Sequence, residues 1–233
     1  MPTITSSGQR SIDTLHWVGW ADQDYIAARV LLLTGLVVQG TALACTAIEK
    51  YLKGVCTLSQ IRYRSVGHDV SRLNGLLIRQ TISLGLDVRF LRFLDKAYGL
   101  RYPDELRPGF NFALNSTATL AELDLTVQRI RRGFKFTKDG SAATTKLEAA
   151  LKARSAELLT KNCAISDSAK EAIFAQPSWS YDVRVLQNGV IMEAFYVVER
   201  LLGADHFNRK GLAPVDGSEG KQFILAWPPK PEI

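Results

Sequence analysis

Apolar residues recur at helical spacing along the first two-thirds of the chain, which predicts a set of amphipathic helices. Polar capping or turn residues mark where each helix begins. The predicted helices start after Asp13, at Gly40, at His68 or Asp69, at Asp87 and at Thr117. The most regular stripe, in the last of these helices, is Leu120, Leu123, Val127, Ile130 and Phe134. Amphipathic helices with short connections are typical of an antiparallel bundle.

A polar break at residues 138–141 divides the chain into a helical bundle over residues 13–137 and a basic extension over residues 138–233. Capping-box patterns that begin at Thr145 and Ser168 predict two further helices in the extension. The predicted fold class is therefore all-α, an antiparallel helical bundle with additional C-terminal helices.

The helical periodicity weakens beyond Pro177. Residues 183–190 contain an Asn-Gly pair and suit a β-hairpin, but residues 183–202 also suit one helix interrupted by glycine. Helix is the favoured interpretation of residues 192–202. Residues 223–227 form a short strand-like run, so the predicted fold leaves room for a short β element.

The longest uncharged window, residues 30–48, spans nineteen residues. Thr34-Gly35 and Gln39-Gly40 interrupt it, which predicts two buried helix segments divided by a turn at Gln39-Gly40, not a membrane span. The N-terminus has no apolar signal region, and the three cysteines are too scattered for a disulfide framework or a zinc site. There is no glycine-rich phosphate loop and no metal-ligand spacing. We therefore expect a cytoplasmic protein without a metal or cofactor.

Positive charge is concentrated in one segment. Residues 125–161 contain nine Lys or Arg and three acids, so this segment alone accounts for the net charge of +6. A local basic patch indicates an anionic partner such as nucleic acid, although a solvated helix face gives the same pattern. The candidate nucleic-acid-binding residues are Arg129, Arg131, Arg132 and Lys135.

His68 has the most suggestive setting of the three histidines. It follows Gly67 at a predicted helix N-terminus, with Arg62 and Arg64 shortly before it. Guanidinium groups and free backbone N–H groups beside an imidazole can bind phosphate. In a ribonuclease, His68 would act as general acid or base, and Arg62 or Arg64 would stabilise the charge on the phosphorane. The alternative is that His68 and Asp69 only cap the helix.

The candidate nucleotide- or phosphate-binding residues are Lys50, Lys53, His68 and Arg101. The two lysines also suit the solvated edge of a helix. Glu49 precedes Lys53 by four residues, which predicts a surface ion pair. Trp17 and Trp20 are interpreted as core or dimer packing in preference to base stacking.

Four sequence fragments occur in a characteristic order. They are Ala47-Ile48-Glu49-Lys50-Tyr51-Leu52-Lys53, Gly67-His68-Asp69, Leu94-Asp95 with Tyr98, and Arg101-Tyr102-Pro103-Asp104. Over roughly residues 13–137 the chain resembles the HEPN domain. The resemblance implies a helical bundle that binds nucleotides. It also implies relatives that act as ribonucleases in toxin–antitoxin and phage-defence systems, some of them paired with small nucleotidyltransferases.

One departure from the HEPN pattern bears on catalysis. The ribonuclease branch carries an arginine followed closely by a histidine, usually at the start of the last long helix. In this chain Arg101 and Arg107 stand in that region without a histidine. Arg62 and His68 have the required spacing, but they lie in the loop between the second and third predicted helices. The chain therefore resembles the nucleotide-binding type more than the catalytic type.

Three functional hypotheses follow. The first is a nucleotide- or RNA-phosphate-binding protein that forms a homodimer in a toxin–antitoxin, defence or stress system, with a nucleotidyltransferase partner implied by the resemblance. The second is a metal-independent ribonuclease that uses His68 with Arg62 or Arg64. The third is a non-enzymatic adaptor that offers the bundle surface to another protein.

Overall fold

The structure is a computed structural model that describes residues 7–138, 141–165 and 170–200. Its α-helices are α1 Gln9–Leu33, α2 Val37–Leu58, α3 Val70–Arg79, α4 Val88–Tyr98, α5 Ser116–Arg131, α6 Lys146–Lys152, α7 Ala156–Leu159 and α8 Lys170–Phe174. Its strands are β1 Asn111–Asn115, β2 Thr137–Lys138, β3 Ser141–Ala142, β4 Ser178–Val185 and β5 Ile191–Val198. Two 3-10 helices, Gly99–Arg101 and Pro103–Glu105, follow α4. The mainly helical architecture with a small sheet confirms the predicted fold class.

Helices α1 and α2 form an antiparallel hairpin that is the largest packing unit of the bundle. Residues 34–36 form the connecting turn, in which Gly35 has a φ angle of +87°. The predicted turn at Gln39-Gly40 is wrong, because Gly40 lies inside α2. A Cβ atom on Gly40 would lie 2.7 Å from Cγ of Leu32, so glycine here allows the two helices to approach closely.

Helix α2 lies at the centre of the bundle and packs against α1, α3, α4 and α5. Ile48, Tyr51 and Leu52 on this helix are fully buried. The apolar stripe expected from the sequence is therefore present, but burial extends well beyond one narrow face. A helix surrounded by neighbours is apolar on most sides, which explains why residues 37–48 carry no charge. In the part of the chain that the structure describes, no helix is both long enough and apolar enough to cross a membrane.

Polar side chains at the helix starts satisfy backbone N–H groups that would otherwise lack partners. Asp69 and Asp87 cap α3 and α4, as the sequence predicts. Helix α5 is capped instead by Asn115, whose side chain accepts a 3.0 Å hydrogen bond from the N–H of Ala118. The predicted cap, Thr117, lies inside the helix and is buried. Strand β1, which the sequence did not reveal, ends at Asn115 and so fixes where α5 begins.

Strands β1, β4 and β5 form an antiparallel sheet with β4 in the middle. Tyr181 of β4 lies opposite Leu114 of β1 on one side and Phe195 of β5 on the other. The hairpin interpretation is confirmed, and the helix interpretation of residues 192–202 is wrong for the part that β5 covers. Residues 195–198 are all aromatic or β-branched, which favours a strand. Residues 201–202 lie outside the described residues, as do residues 223–227.

The described part of the extension packs onto the bundle. Thr145 and Glu148 form the predicted capping box at the start of α6, and Ser168, the second predicted cap, lies outside the described residues. Leu147 and Leu158 are buried in the same hydrophobic core as the bundle helices. The core therefore does not end at the polar break near residue 140.

A buried ion pair connects the bundle to the extension. Arg29 of α1 and Asp124 of α5 are both inaccessible to solvent and pair directly. The Arg29 guanidinium also donates to the carbonyl oxygens of Glu157, at 2.8 Å, and Thr160, at 2.5 Å. The Tyr25 hydroxyl donates to Asp124 at 2.7 Å. Every partner of this charge pair thus lies within the protein.

A second buried carboxylate, Asp22, lies on α1, the helix that also carries Arg29. It accepts hydrogen bonds from the Tyr51 hydroxyl, at 2.6 Å, and from the N–H of Leu147, at 3.0 Å. Nε of Arg131 lies 3.7 Å from Asp22. The first turn of α6 is therefore held directly to the centre of the bundle.

Candidate anion-binding site

Glu49 lies on α2 and contacts two of the predicted basic residues, Lys53 and His68. Its carboxylate forms an ion pair with Lys53, one helical turn later, as the i,i+4 spacing predicts. The pair is not a surface pair, because the side chain of Glu49 is only 5% exposed. A carboxylate this buried needs a positive or hydrogen-bonding partner to remain ionised. Glu49 thus holds Lys53 in one place instead of leaving it free in solvent.

His68 contacts the same carboxylate from the loop that precedes α3. Its Nδ1 lies 2.9 Å from Oε2 of Glu49, and its ring stacks on Tyr98 with centroids 5.3 Å apart. The imidazole side chain is nevertheless 63% exposed. A carboxylate at Nδ1 favours a proton on that nitrogen, so Nε2 is left for an external group. His68 is therefore oriented by the protein and open to solvent at once.

Arg101, in the 3-10 helix that follows α4, packs against Tyr98. Its guanidinium carbon lies 4.7 Å from the ring centroid of Tyr98 and 5.6 Å from that of Tyr102. Cation–π contacts of this kind hold a guanidinium in place while its N–H groups stay free to donate. Three basic side chains therefore lie next to Glu49 or Tyr98, namely Lys53, His68 and Arg101. We call these five residues the anion site.

Two aromatic rings, one from α1 and one from the loop after α2, lie beside Lys53 at the edge of the anion site. The Lys53 ammonium lies 5.6 Å from the Trp17 ring centroid and 6.0 Å from the Tyr63 centroid. Trp17 and Tyr63 also meet edge to face, at 6.4 Å. Positive groups interleaved with aromatic rings suit a ligand that has both phosphates and bases.

The N-terminus of α3, next to His68, is already occupied. The backbone N–H groups of Val70 and Ser71 donate to Asp95, at 2.8 and 3.1 Å. The N–H of Arg72 donates to Asp69 at 2.6 Å. The backbone donors that we expected to be free for phosphate therefore have internal acceptors. Binding at His68 must rely on side chains.

The remaining candidate residues of the α2–α3 region lie apart from the anion site. Lys50 points toward α1 and pairs with Asp24 at 2.5 Å. Arg62 and Arg64 are exposed on the loop between α2 and α3, where neither bonds to another residue that the structure describes. The structure thus brings His68 together with Arg101 and Lys53, and it records no contact of His68 with Arg62 or Arg64.

The four basic residues at the end of α5 have different surroundings. Arg129 donates to the carbonyl oxygen of Gly85 at 3.0 Å. Arg131 is only 10% exposed and bonds to Thr145 and Glu148 at 2.9 and 3.2 Å, so it helps to hold α6. Arg129, Arg132 and Lys135 are exposed. Arg131 is therefore the member of the set that solvent reaches least.

Burial shapes the acidity of the groups around the anion site. Burial raises the pKa of the Cys45 thiol well above its usual value, and the nearby carboxylates of Asp95, Glu49 and Asp69 raise it further. Cys45 is therefore a protonated core residue and not a nucleophile. Burial also raises the pKa of Tyr98, against the opposing charge of Arg101. Tyr98 stays neutral and offers its ring.

Residues 14–125 match the family model of the HEPN domain. The helical bundle is a HEPN domain. The resemblance found in the four sequence fragments is thereby confirmed, and it implies a nucleotide- or RNA-related function. No curated protein and no solved structure matches the chain. The anion site draws all five of its residues from within the HEPN match.

Two members of this HEPN site were not recognised as such from the sequence. Glu49 was interpreted as half of a surface ion pair, and Tyr98 was named only as part of a family fragment. The family fragments contain both residues, so the signal was present. What the fragments do not reveal is that the carboxylate and the ring lie between His68 and the other two cations.

Proposed function

We propose that the anion site binds the phosphate group of a nucleotide or of RNA. The observation that carries the proposal is the convergence of Lys53, His68 and Arg101 on Glu49 and Tyr98. Lys53 and Arg101 contribute two fixed positive charges, and Glu49 removes one. The site therefore keeps a positive balance.

The direct test is a comparison of arginine and lysine variants in phosphate-ligand binding. We expect wild-type protein to bind ATP or a short single-stranded RNA at low salt, with an affinity that decreases as salt increases. Arg101→Gln and Lys53→Met should each weaken binding by about tenfold, since a charge-assisted contact is worth about 1.5 kcal/mol. The matched control is Arg79→Gln, an exposed arginine at the far end of α3.

Two results would contradict the proposed function. One is the absence of binding to both ATP and RNA at low salt. The other is an equal effect of Arg79→Gln and Arg101→Gln, which would mean that only the overall charge matters. The first result leaves the adaptor hypothesis, and the bundle surface should then be tested against protein partners.

Ribonuclease activity is a second candidate function, and the geometry of His68 supports it. With Nδ1 facing Glu49, Nε2 can take the proton of an RNA 2′-hydroxyl as that oxygen attacks the phosphorus. The bond to the 5′-oxygen then breaks, the leaving oxygen takes a proton from a water molecule, and the protonated His68 neutralises the resulting hydroxide. Arg101 or Lys53 would balance the charge on the phosphorane. The exposed Arg62 and Arg64 remain candidates for this role.

Cleavage of a labelled RNA in the presence of EDTA tests this candidate. If His68 is the base, His68→Ala abolishes cleavage while RNA binding persists through Lys53 and Arg101. Glu49→Gln should reduce the rate, because Glu49 orients the imidazole. Wild-type protein that binds RNA without cleaving it would contradict the ribonuclease candidate alone.

Family resemblance also supports a biological setting. We propose a homodimer that acts in a toxin–antitoxin, defence or stress system with a small nucleotidyltransferase as partner. Sedimentation of the purified chain tests the homodimer. Co-purification with a nucleotidyltransferase encoded beside it tests the partner.

A further inference from the structure

A cleft of about 260 Å³ lies between the first half of α1 and the start of α6. Its walls include His16, Gly19, Trp20 and Gln23 of α1, together with Thr144 and Lys146 at the start of α6. None of these residues belongs to the anion site.

Trp20 is the most distinctive residue of this cleft. It was expected in the core or in a dimer contact, but it is not in the core, because it is 52% exposed. His16 stacks beside it at 6.1 Å, and Trp17 meets it edge to face at 5.7 Å. An indole held by two neighbouring rings and open to solvent is a surface on which a flat aromatic ligand stacks.

Polar groups on both walls add a preference for charge and hydrogen bonding. Lys146 is exposed, and no carboxylate of the described residues pairs with its ammonium group. The amide nitrogen of Gln23 donates to the carbonyl of Gly19 at 3.2 Å, which leaves the amide oxygen as an acceptor. A stacking ring, an amide acceptor and a nearby cation fit a nucleobase and its attached phosphate.

The side chain of Trp17 lies between the cleft and the anion site. Trp17 contacts Trp20 on one side, and on the other it lies under the Lys53 ammonium. A ligand that places a phosphate at Lys53 can therefore reach Trp20 with its next residue.

We propose that the α1–α6 cleft holds a nucleobase of single-stranded RNA whose neighbouring phosphate occupies the anion site. This inference rests on the proposed function and sharpens it, since it makes an oligonucleotide, not a mononucleotide, the ligand that uses the whole surface. Trp20 stacks on the base, and Lys146 contacts the adjoining phosphate.

The experiment compares AMP with a trinucleotide RNA. Trp20→Ala should weaken trinucleotide binding by about tenfold and AMP binding by less than about twofold, since one stacked base contributes about 1–3 kcal/mol. Gly19→Gln should give the same pattern by filling the cleft, because a Cβ atom on Gly19 meets nothing within 4 Å. Ile12→Ala, at an exposed position on α1 outside the cleft, should change neither affinity.

The outcomes separate this inference from the proposed function. Equal effects of Trp20→Ala on AMP and on the trinucleotide, or no effect on either, would overturn the base site and leave the anion site intact. A change in sedimenting mass on Trp20→Ala would also overturn it, by showing that Trp20 contacts protein. If wild-type protein binds neither ligand, the proposed function fails, and the base site fails with it.

Discussion

Arg29 and Asp124 show what individual charged residues contribute to this protein. Both lie in the core, where an ion is poorly solvated, and each is stabilised only by the other and by polar groups around it. Tyr25 and two carbonyl oxygens of the extension complete the set. Removal of one partner therefore leaves a buried charge without compensation.

We expect Arg29→Met to lower the free energy of unfolding by about 3–5 kcal/mol. The matched control is Lys50→Met, which breaks the partly exposed pair with Asp24 and should cost at most about 1 kcal/mol. Urea unfolding of both variants measures the difference. Similar losses of unfolding free energy in the two variants would mean that burial does not make the Arg29–Asp124 pair more important for stability than the partly exposed pair.

The pH dependence of stability should report on Asp124. Burial raises its pKa to about 6, and Arg29 offsets only part of that effect. Between about pH 4 and about pH 6, Asp124 keeps its proton in the folded protein but has already released it in the unfolded chain. This residue therefore makes the folded state less stable as the pH rises through that interval.

Asp124→Asn provides the comparison, because asparagine cannot ionise. The unfolding free energy of wild type minus that of the variant should fall from about pH 4 to about pH 6 and then level off. Urea titrations at a series of pH values measure it. A difference that rises over this interval would show that the ion pair with Arg29 outweighs burial.

At the scale of elements, the α1–α2 turn is where the sheet meets the bundle. A Cβ atom on Gly35 would lie 2.9 Å from Nε1 of Trp179 in β4, and its φ angle already disfavours other residues. Gly85 also has a positive φ angle, but nothing lies within 4 Å of its Cβ position. A comparison of substitutions at the two glycines therefore separates the cost of backbone strain from the cost of close contact with Trp179.

Both Gly35→Ala and Gly85→Ala should lose about 1 kcal/mol through backbone strain. Gly35→Ala should lose about 1–3 kcal/mol more, because the indole of Trp179 must move away. Thermal unfolding measures both losses, and tryptophan fluorescence reports the displaced ring. Equal losses would show that Trp179 shifts without cost.

Local sequence signals predicted some elements better than others. Helices α3 and α4 begin where their capping aspartates predict, because a cap acts within one turn. The start of α5 and the strand β1 could not be predicted in this way, because β1 exists only through its pairing with β4. Lys53, His68 and Arg101 were found by charge and motif. The position of Glu49 between them depends on helix packing, which spacing along the chain does not encode.

At the scale of the molecule, the bundle and the described part of the extension share one interior. Asp22 and Arg29 lie in α1 but find hydrogen-bonding partners beyond residue 144. Leu147 and Leu158 fill the same core. A chain cut after residue 137 would expose part of that core and would leave buried charged groups without some of their hydrogen-bonding partners.

We therefore expect a fragment of residues 1–137 to unfold at clearly lower urea concentration than the full chain and to bind a hydrophobic dye. Circular dichroism and dye fluorescence measure these effects. Leu158→Ala in the full chain is the milder counterpart and should cost about 2–5 kcal/mol. If the fragment unfolds at the same midpoint as the full chain, the extension contributes nothing to the stability of the bundle.

The position of Arg29 also orders events during synthesis. Its carboxylate partner follows 95 residues later in the chain, and the carbonyl oxygens of Glu157 and Thr160 follow 128 and 131 residues later. The α1–α2 hairpin needs only local contacts and can form as soon as it leaves the ribosome. Its charged face must stay hydrated until residue 160 has emerged. Dehydration of Arg29 therefore cannot occur before residue 160 has been synthesised, so the core of the HEPN domain closes only when the extension is present.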